Sequence, residues 1–183
     1  MCTVYRMKDR LTRNDWLAEG LRTLAAEGVA GLKAGPMSER LKVSRGSFYW
    51  HFIDIADLRA QLLDHWREAA TEQVIRRIET GAAADRFRIL LRRAFTYDRG
   101  LERAVRSWAA TDAGVATVVA GVDARRIAYI ARVLTGVGVP RGQASPRARF
   151  AYWAFLGQPH VMDTGNAAVT ERQIDQISDL LAR

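Results

Sequence analysis

Three histidines, His51, His65 and His160, are the chain's ordinary candidates for metal or proton chemistry, and no two of them share a metal-ligand spacing. No glycine-rich phosphate loop and no pair of carboxylates at catalytic spacing stands out. Cys2 is the single cysteine, so an intrachain disulfide and a multi-cysteine zinc site are both excluded, and a lone thiol at a chain end is a poor nucleophile. No catalytic reaction, metal or cofactor is expected.

The stretch that could do chemistry of another kind is Pro36–Phe52, PMSERLKVSRGSFYWHF. A short helix, a tight turn at Lys42–Ser44 and a second short helix make a helix-turn-helix. A helix fits the DNA major groove, and the residues at its N-terminal end reach base edges. Arg45 opens the second helix, where a guanidinium can fork onto guanine O6 and N7. Gly46 lets the backbone come close, and Ser47 can bond a base or a phosphate. Tyr49, Trp50 and His51 project hydroxyl, indole and imidazole donors suited to phosphate oxygens. Phe48 and Phe52, four apart, face inward and hold the helix. Lys33, just upstream, offers a point charge to the DNA backbone.

The elements that must position these residues read as helices throughout. Apolar residues recur at three and four rather than two, which predicts an all-α chain of about nine helices. Thr12 and Asp15 predict a capping box before a first helix over Asn14–Glu27, with Trp16, Leu17, Leu21 and Leu24 inward. The second helix is expected over Pro36–Leu41 with Gly35 as its cap, the third over Arg45–His51 capped by Ser44, and a long fourth from Asp54 to Thr80. Further helices are expected over Asp85–Asp98, Leu101–Ala110 and Val115–Thr135. An eighth is expected from Ser145, with Pro146 at its first position. Thr170 and Gln173 predict a capping box for a ninth, burying Ile174, Ile177 and Leu181.

The order of elements and the segment VSRGSFYWHF, Val43–Phe52, resemble the TetR family of transcriptional regulators. The motif match runs from Leu11 to about Leu63, and the rest rests on helix count and length. The resemblance implies a three-helix DNA-binding domain over residues 1–53 and a ligand-binding and dimerisation domain over 54–183. It implies DNA contacts from Ser44, Arg45, Ser47, Tyr49, Trp50 and His51, and core roles for Leu41, Val43, Phe48 and Phe52. It also implies a homodimer formed through the last two helices, bound as a repressor to near-palindromic double-stranded DNA and released by a small-molecule effector. Lining residues for that effector are expected on inner helix faces: Trp66, Phe95, Trp108, Tyr129, Tyr152 and His160, with Phe87 and Leu91 beside them. The chain departs from the family at three places: Lys42 stands where glycine usually ends the second helix, Ile55 where a lysine usually follows the motif, and Pro36 should shorten the second helix.

Charge bears on the partner. The 183 residues carry 28 Lys and Arg against 20 Asp and Glu, a net charge of +8. Residues 1–52 hold nine basic and five acidic residues, so half of the excess lies in less than a third of the chain. That favours an anionic partner. The N-terminus has no apolar leader segment, and no apolar run approaches the ~18 residues of a membrane span, so a cytoplasmic protein without a membrane is expected. The competing class is a basic helical protein that binds nucleic acid or anionic membranes without specificity. Its nearest signature is Arg86–Arg99, with five arginines.

Overall fold

The computed structural model describes residues 11–96 and 98–183; Met1–Arg10, with Cys2, Lys8 and the expected absence of a leader, lie outside the described residues. The chain is all-α, with no strand among the described residues.

Helix α1 spans Arg13–Glu27. It starts where Thr12 accepts from the Asp15 amide at 3.3 Å while the Asp15 carboxylate accepts from the Thr12 amide at 2.7 Å. The two bonds satisfy donors that a helix start otherwise leaves orphaned. Gly28, at φ +71°, ends the helix in a conformation that side chains with a Cβ rarely adopt. Trp16 and Leu24 are fully buried.

Helix α2 spans Ala34–Arg40 and starts two residues earlier than expected, with Lys33 rather than Gly35 at its cap. Pro36 is therefore its third residue, where the missing N–H is still one of the donors without an intrahelical partner. The proline does not shorten the helix from its start. Helix α3, Gly46–Tyr49, is a single turn. It is continued by tighter bonds, from Ser47 N to the Ser44 carbonyl at 2.9 Å before it and from His51 N to the Phe48 carbonyl at 3.0 Å after it. The Ser44 side chain makes no cap. Glycine, serine and aromatic residues are weak helix formers, which explains a ladder shorter than the expected seven-residue Arg45–His51.

The expected long helix is present in three pieces: α4 over Ile55–Arg67, a π-helical turn over Glu68–Glu72, and α5 over Gln73–Glu79. Asp54 accepts from the Asp57 amide at 2.8 Å and starts it. Then come α6, Arg86–Thr96; α7, Gly100–Ala109; and α8, Ala113–Gly136, capped by Asp112 accepting from the Val115 amide at 3.1 Å. Helix α9 spans Arg141–Gly157 and carries Pro146 inside it, so Ser145 and Pro146 do not open the helix as expected. Buried Ala144 and Ala148 lie on either side of the proline, and their packing outweighs one lost backbone bond. A short α10, Thr164–Ala167, precedes α11, Glu171–Ala182, which begins with the Thr170–Gln173 capping box.

The chain divides into two compact units. The first comprises residues up to His65 together with Gly100–Thr111, and α7 packs on α1 within it. Its buried side chains include Trp16, Leu24, Met37, Phe48, Phe52, Leu62 and Val105. Helices α1 and α4 meet at Gly20, where an added Cβ would lie 2.8 Å from a Leu62 methyl. The second unit comprises Trp66–Arg99 and Asp112–Arg183. Helices α8 and α9 pack together there, α11 packs on α6, and the core includes Phe87, Leu91, Tyr129, Leu134, Ala148 and Ile174.

Candidate nucleic-acid interface

The turn between α2 and α3 is built from one irregular residue. Lys42 has φ 57°, the left-handed region, and among the described residues it is the one non-glycine there. Its amide bonds the Glu39 carbonyl at 3.1 Å, and the Val43 amide bonds the Ser38 carbonyl at 3.0 Å. That pair is the Schellman closure of a helix, with lysine in the position glycine usually holds. Its side chain is exposed.

Helix α3 is held from behind by aromatic packing. The Phe48 ring meets Trp16 edge-on at 5.4 Å and tilts against Phe52 at 5.2 Å. Such pairs add about 0.5–1.5 kcal/mol beyond burial. The Arg13 guanidinium lies over Phe52, 5.6 Å from the ring centre. With Phe48 and Phe52 inside, the neighbouring positions turn outward. Tyr49 is 54% exposed and Trp50 78%. Ser44 and Arg45 are exposed, Ser47 and His51 half-buried, and Lys33 is exposed at the cap of α2. Leu41 and Val43 are half-buried rather than core. The Arg45 guanidinium reaches the Tyr49 hydroxyl at 3.5 Å, too long to hold it firmly. Among the described residues no carboxylate pairs with Lys33, Lys42 or Arg45.

A buried acid braces these helices. The Glu19 side chain, nearly enclosed on α1, accepts from Arg22 at 2.8 Å, from Thr23 at 3.2 Å and from Arg40 of α2 at 3.3 Å. Arg40 also bonds the Thr23 hydroxyl at 2.6 Å and Glu27 at 2.6 Å. Burial pushes the Glu19 carboxyl up, but the hydrogen bonds from Arg22, Arg40 and Thr23 together outweigh it and leave the group below its ordinary value. This tie was not anticipated. Its sequence signal is an acid and a threonine four apart on the buried stripe of α1.

The six expected effector residues fall in several places. Trp108 is buried in the first unit, and Trp66, Phe95, Tyr129, Tyr152 and His160 belong to the second. His160 is exposed in a 3-10 turn after α9, and Phe95 is half-buried. Trp66 and Tyr152 join a polar cluster around Arg126. That guanidinium lies 5.4 Å over Trp66 and donates to the Thr71 hydroxyl at 2.9 Å and the Ala70 carbonyl at 3.3 Å, both in the π-turn. Tyr152 donates to Asp123 at 2.7 Å. The Tyr129 hydroxyl is buried without a hydrogen-bond partner among the described residues, and burial, followed by the Glu79 charge, pushes its pKa up. Helix α7 carries Arg106, which pairs with Glu102 at 2.9 Å.

No helix among the described residues is long and apolar enough to cross a membrane, and no group of three or more His, Cys, Asp or Glu there could hold a metal. No family model and no curated protein matches the sequence. The fold is similar to the crystal structure of a Rhodococcus sp. protein assigned to the TetR family of transcriptional regulators. The TM-score is 0.65 at 16% identity, over 93% of this chain and 98% of that one. At that identity the likeness speaks for the all-α fold.

Proposed function

We infer that the chain is a sequence-specific DNA-binding transcriptional regulator that acts as a homodimer. The observation that carries this is the helix-turn-helix surface. Among the described residues Lys33, Lys42 and Arg45 stand exposed without carboxylate partners beside exposed Tyr49 and Trp50, while the nearby Arg22 and Arg40 are tied to Glu19. In this reading residues 1–53 bind DNA and 54–183 regulate it. Arg45 reads a guanine edge. Ser44, Ser47, Tyr49, Trp50 and His51 position α3 on bases and phosphates, and Lys33 meets the backbone.

The dimer reading is supported by an apolar surface on the last long helices. Phe150 and Trp153 on α9 are each 62% exposed, and Leu180 on α11 is 73% exposed. Large apolar side chains exposed together mark interaction surfaces. Two copies meeting through α9 and α11 would form a four-helix bundle with two-fold symmetry and present two copies of α3 to a near-palindromic operator. A small effector that binds one arrangement of the body better would shift the population and release the DNA, making the protein a repressor.

The competing reading, a nonspecific binder of nucleic acid or membranes, is disfavoured by α6. Its arginines are engaged: Arg86 with the Gly81 and Glu79 carbonyls, Arg88 with Asp85, and Arg92 with Glu171. Selection from a random duplex pool is the test. A regulator prefers one near-palindrome over random duplex by about 10³-fold or more. Arg45→Ala should then cost about 1–3 kcal/mol at one base position of each half-site. Equal binding to all duplexes overturns the reading.

A further inference from the structure

The long helix changes register at Glu68–Glu72, and residues of α8 hold it there. A π-turn carries one residue more than the α-helix around it, and its looser ladder persists where the surroundings favour it. Arg125 forks onto Glu72 with two bonds of 3.1 Å. Arg126 donates to the Thr71 hydroxyl at 2.9 Å and to the Ala70 carbonyl at 3.3 Å, with its guanidinium over Trp66. It also reaches the Tyr152 hydroxyl of α9 at 3.4 Å. Trp66 and Thr71 are almost fully buried, so this is an interior grip rather than a surface pair. Ala70, Thr71 and Glu72 are thus held from one neighbouring helix, all within the second unit.

The helix beyond the turn depends on the extra residue. Glu68 pairs with Arg76, eight positions on. In an unbroken α-helix eight residues end about 80° off the starting face, and with one taken up by the π-turn about 20° off. Burial shifts in the same way. The α-helical continuation of the Trp66 face is Ala70, Gln73 and Arg77, yet Gln73 and Arg77 are exposed while Thr71, Ile75 and Ile78 are buried. We propose that Glu68–Glu72 is the regulatory hinge of the long helix and that Arg126 is the positioning residue that sets it. Sharp bends in helices concentrate at such turns. Along the chain, α4 leads from this turn back into the unit that carries α3. While Arg126 grips the turn, the helix keeps one register. With the grip lost, the turn opens and the DNA-competent fraction falls. The purpose of the hinge rests on the regulator reading; the grip itself does not.

The test is amide hydrogen exchange of the full chain, read by mass spectrometry, beside titration of the selected duplex. Arg126→Met removes the donors and keeps most of the length of the side chain. It should speed exchange over residues 68–75 about tenfold or more, the loss of a charged hydrogen bond, and leave α11 unchanged. It should also weaken the selected duplex about three- to tenfold as the competent fraction falls. Thr71→Val removes one acceptor with little change of shape and should show the same pattern, smaller in size. It decides the matter if Arg126→Met does not fold. Arg126→Lys keeps the charge over Trp66 and should restore part of both effects. Exchange unchanged over 68–75, exchange raised equally in α11, or faster exchange with unaltered duplex affinity overturns the proposal. An unsubstituted protein without duplex preference, whose 68–75 exchange still responds to these substitutions, counts against the regulator reading alone.

Discussion

Replacing Lys42 by glycine should make the protein more stable and its DNA complex weaker, and the two effects have separate causes. At φ 57° the lysine Cβ crowds the following carbonyl. A residue with a Cβ pays about 1–2 kcal/mol there. Glycine removes that cost but returns about 0.5–1 kcal/mol through its freer unfolded chain. The net gain is about 0.5–1 kcal/mol, because the two closing bonds, Lys42 N to Glu39 and Val43 N to Ser38, involve backbone alone and survive the change. For a chain of this size that raises Tm by roughly 1–4 °C. The measurement is thermal unfolding followed by circular dichroism, at one protein concentration so that association does not shift the midpoint. If the lysine meets a phosphate, losing it from both half-sites lowers the slope of log K against log salt by about 1.8. Lys42→Ala separates the terms, since it keeps the strain and loses the charge: the slope should fall without any gain in Tm. An unchanged or lower Tm for the glycine variant would refute the strain assignment, and an unchanged slope for both variants would remove Lys42 from the DNA contacts.

Two other perturbations follow from the buried acid and the apolar face. Glu19→Gln should cost about 1–2 kcal/mol at neutral pH, the loss of charge-assisted bonds to Arg22, Arg40 and Thr23. Because the folded-state pKa of Glu19 lies below its ordinary value, its stabilisation is complete above that ordinary value and is lost as the pH falls through the folded one. Urea unfolding of the two proteins should therefore converge in acid, and a gap that stays constant from pH 7 to pH 3 would contradict the assignment. Phe150→Glu with Trp153→Glu should give monomers in sedimentation with the helical spectrum intact. An unaltered dimer would show that α9 is not the interface. These are better probes than Ile174 or Leu181, which are buried in the chain's own core.

Local signals were legible and long-range ones were not. The capping boxes at Thr12–Asp15 and Thr170–Gln173 need only residues three apart, and both form as read. The outward set of α3 followed from Phe48 and Phe52 facing inward. The starts of α2 and α9 were misplaced for one reason: proline was read as a first-position residue, although the first turn tolerates it at several positions and Pro146 stands well inside α9. The π-turn has no periodic signature. Part of its support comes from Arg126, whose bond to Thr71 spans 55 residues. The Arg40–Glu19 tie spans 21 and was equally unreadable. Aromatic burial at Trp66, Trp108, Tyr129 and Tyr152 was legible, but burial alone does not say whether side chains line a cavity or fill it.

Net charge divides evenly between residues 1–52 and the remainder, yet the pairing of the two shares differs. In the second unit Arg76 pairs with Glu68, Arg88 with Asp85, Arg92 with Glu171, Arg125 with Glu72 and Arg132 with Glu79. Arg86 and Arg147 spend donors on backbone carbonyls. A charge already matched at about 3 Å adds little to the field felt beyond a Debye length of about 8 Å at physiological salt. Among the described residues no carboxylate matches Lys33, Lys42 or Arg45 in this way. On the proposed DNA-binding reading, a polyanion that approaches α3 meets these three cations, although the count of charges does not distinguish the two shares. In that reading the placement of carboxylates away from α3 matters as much as the placement of cations beside it.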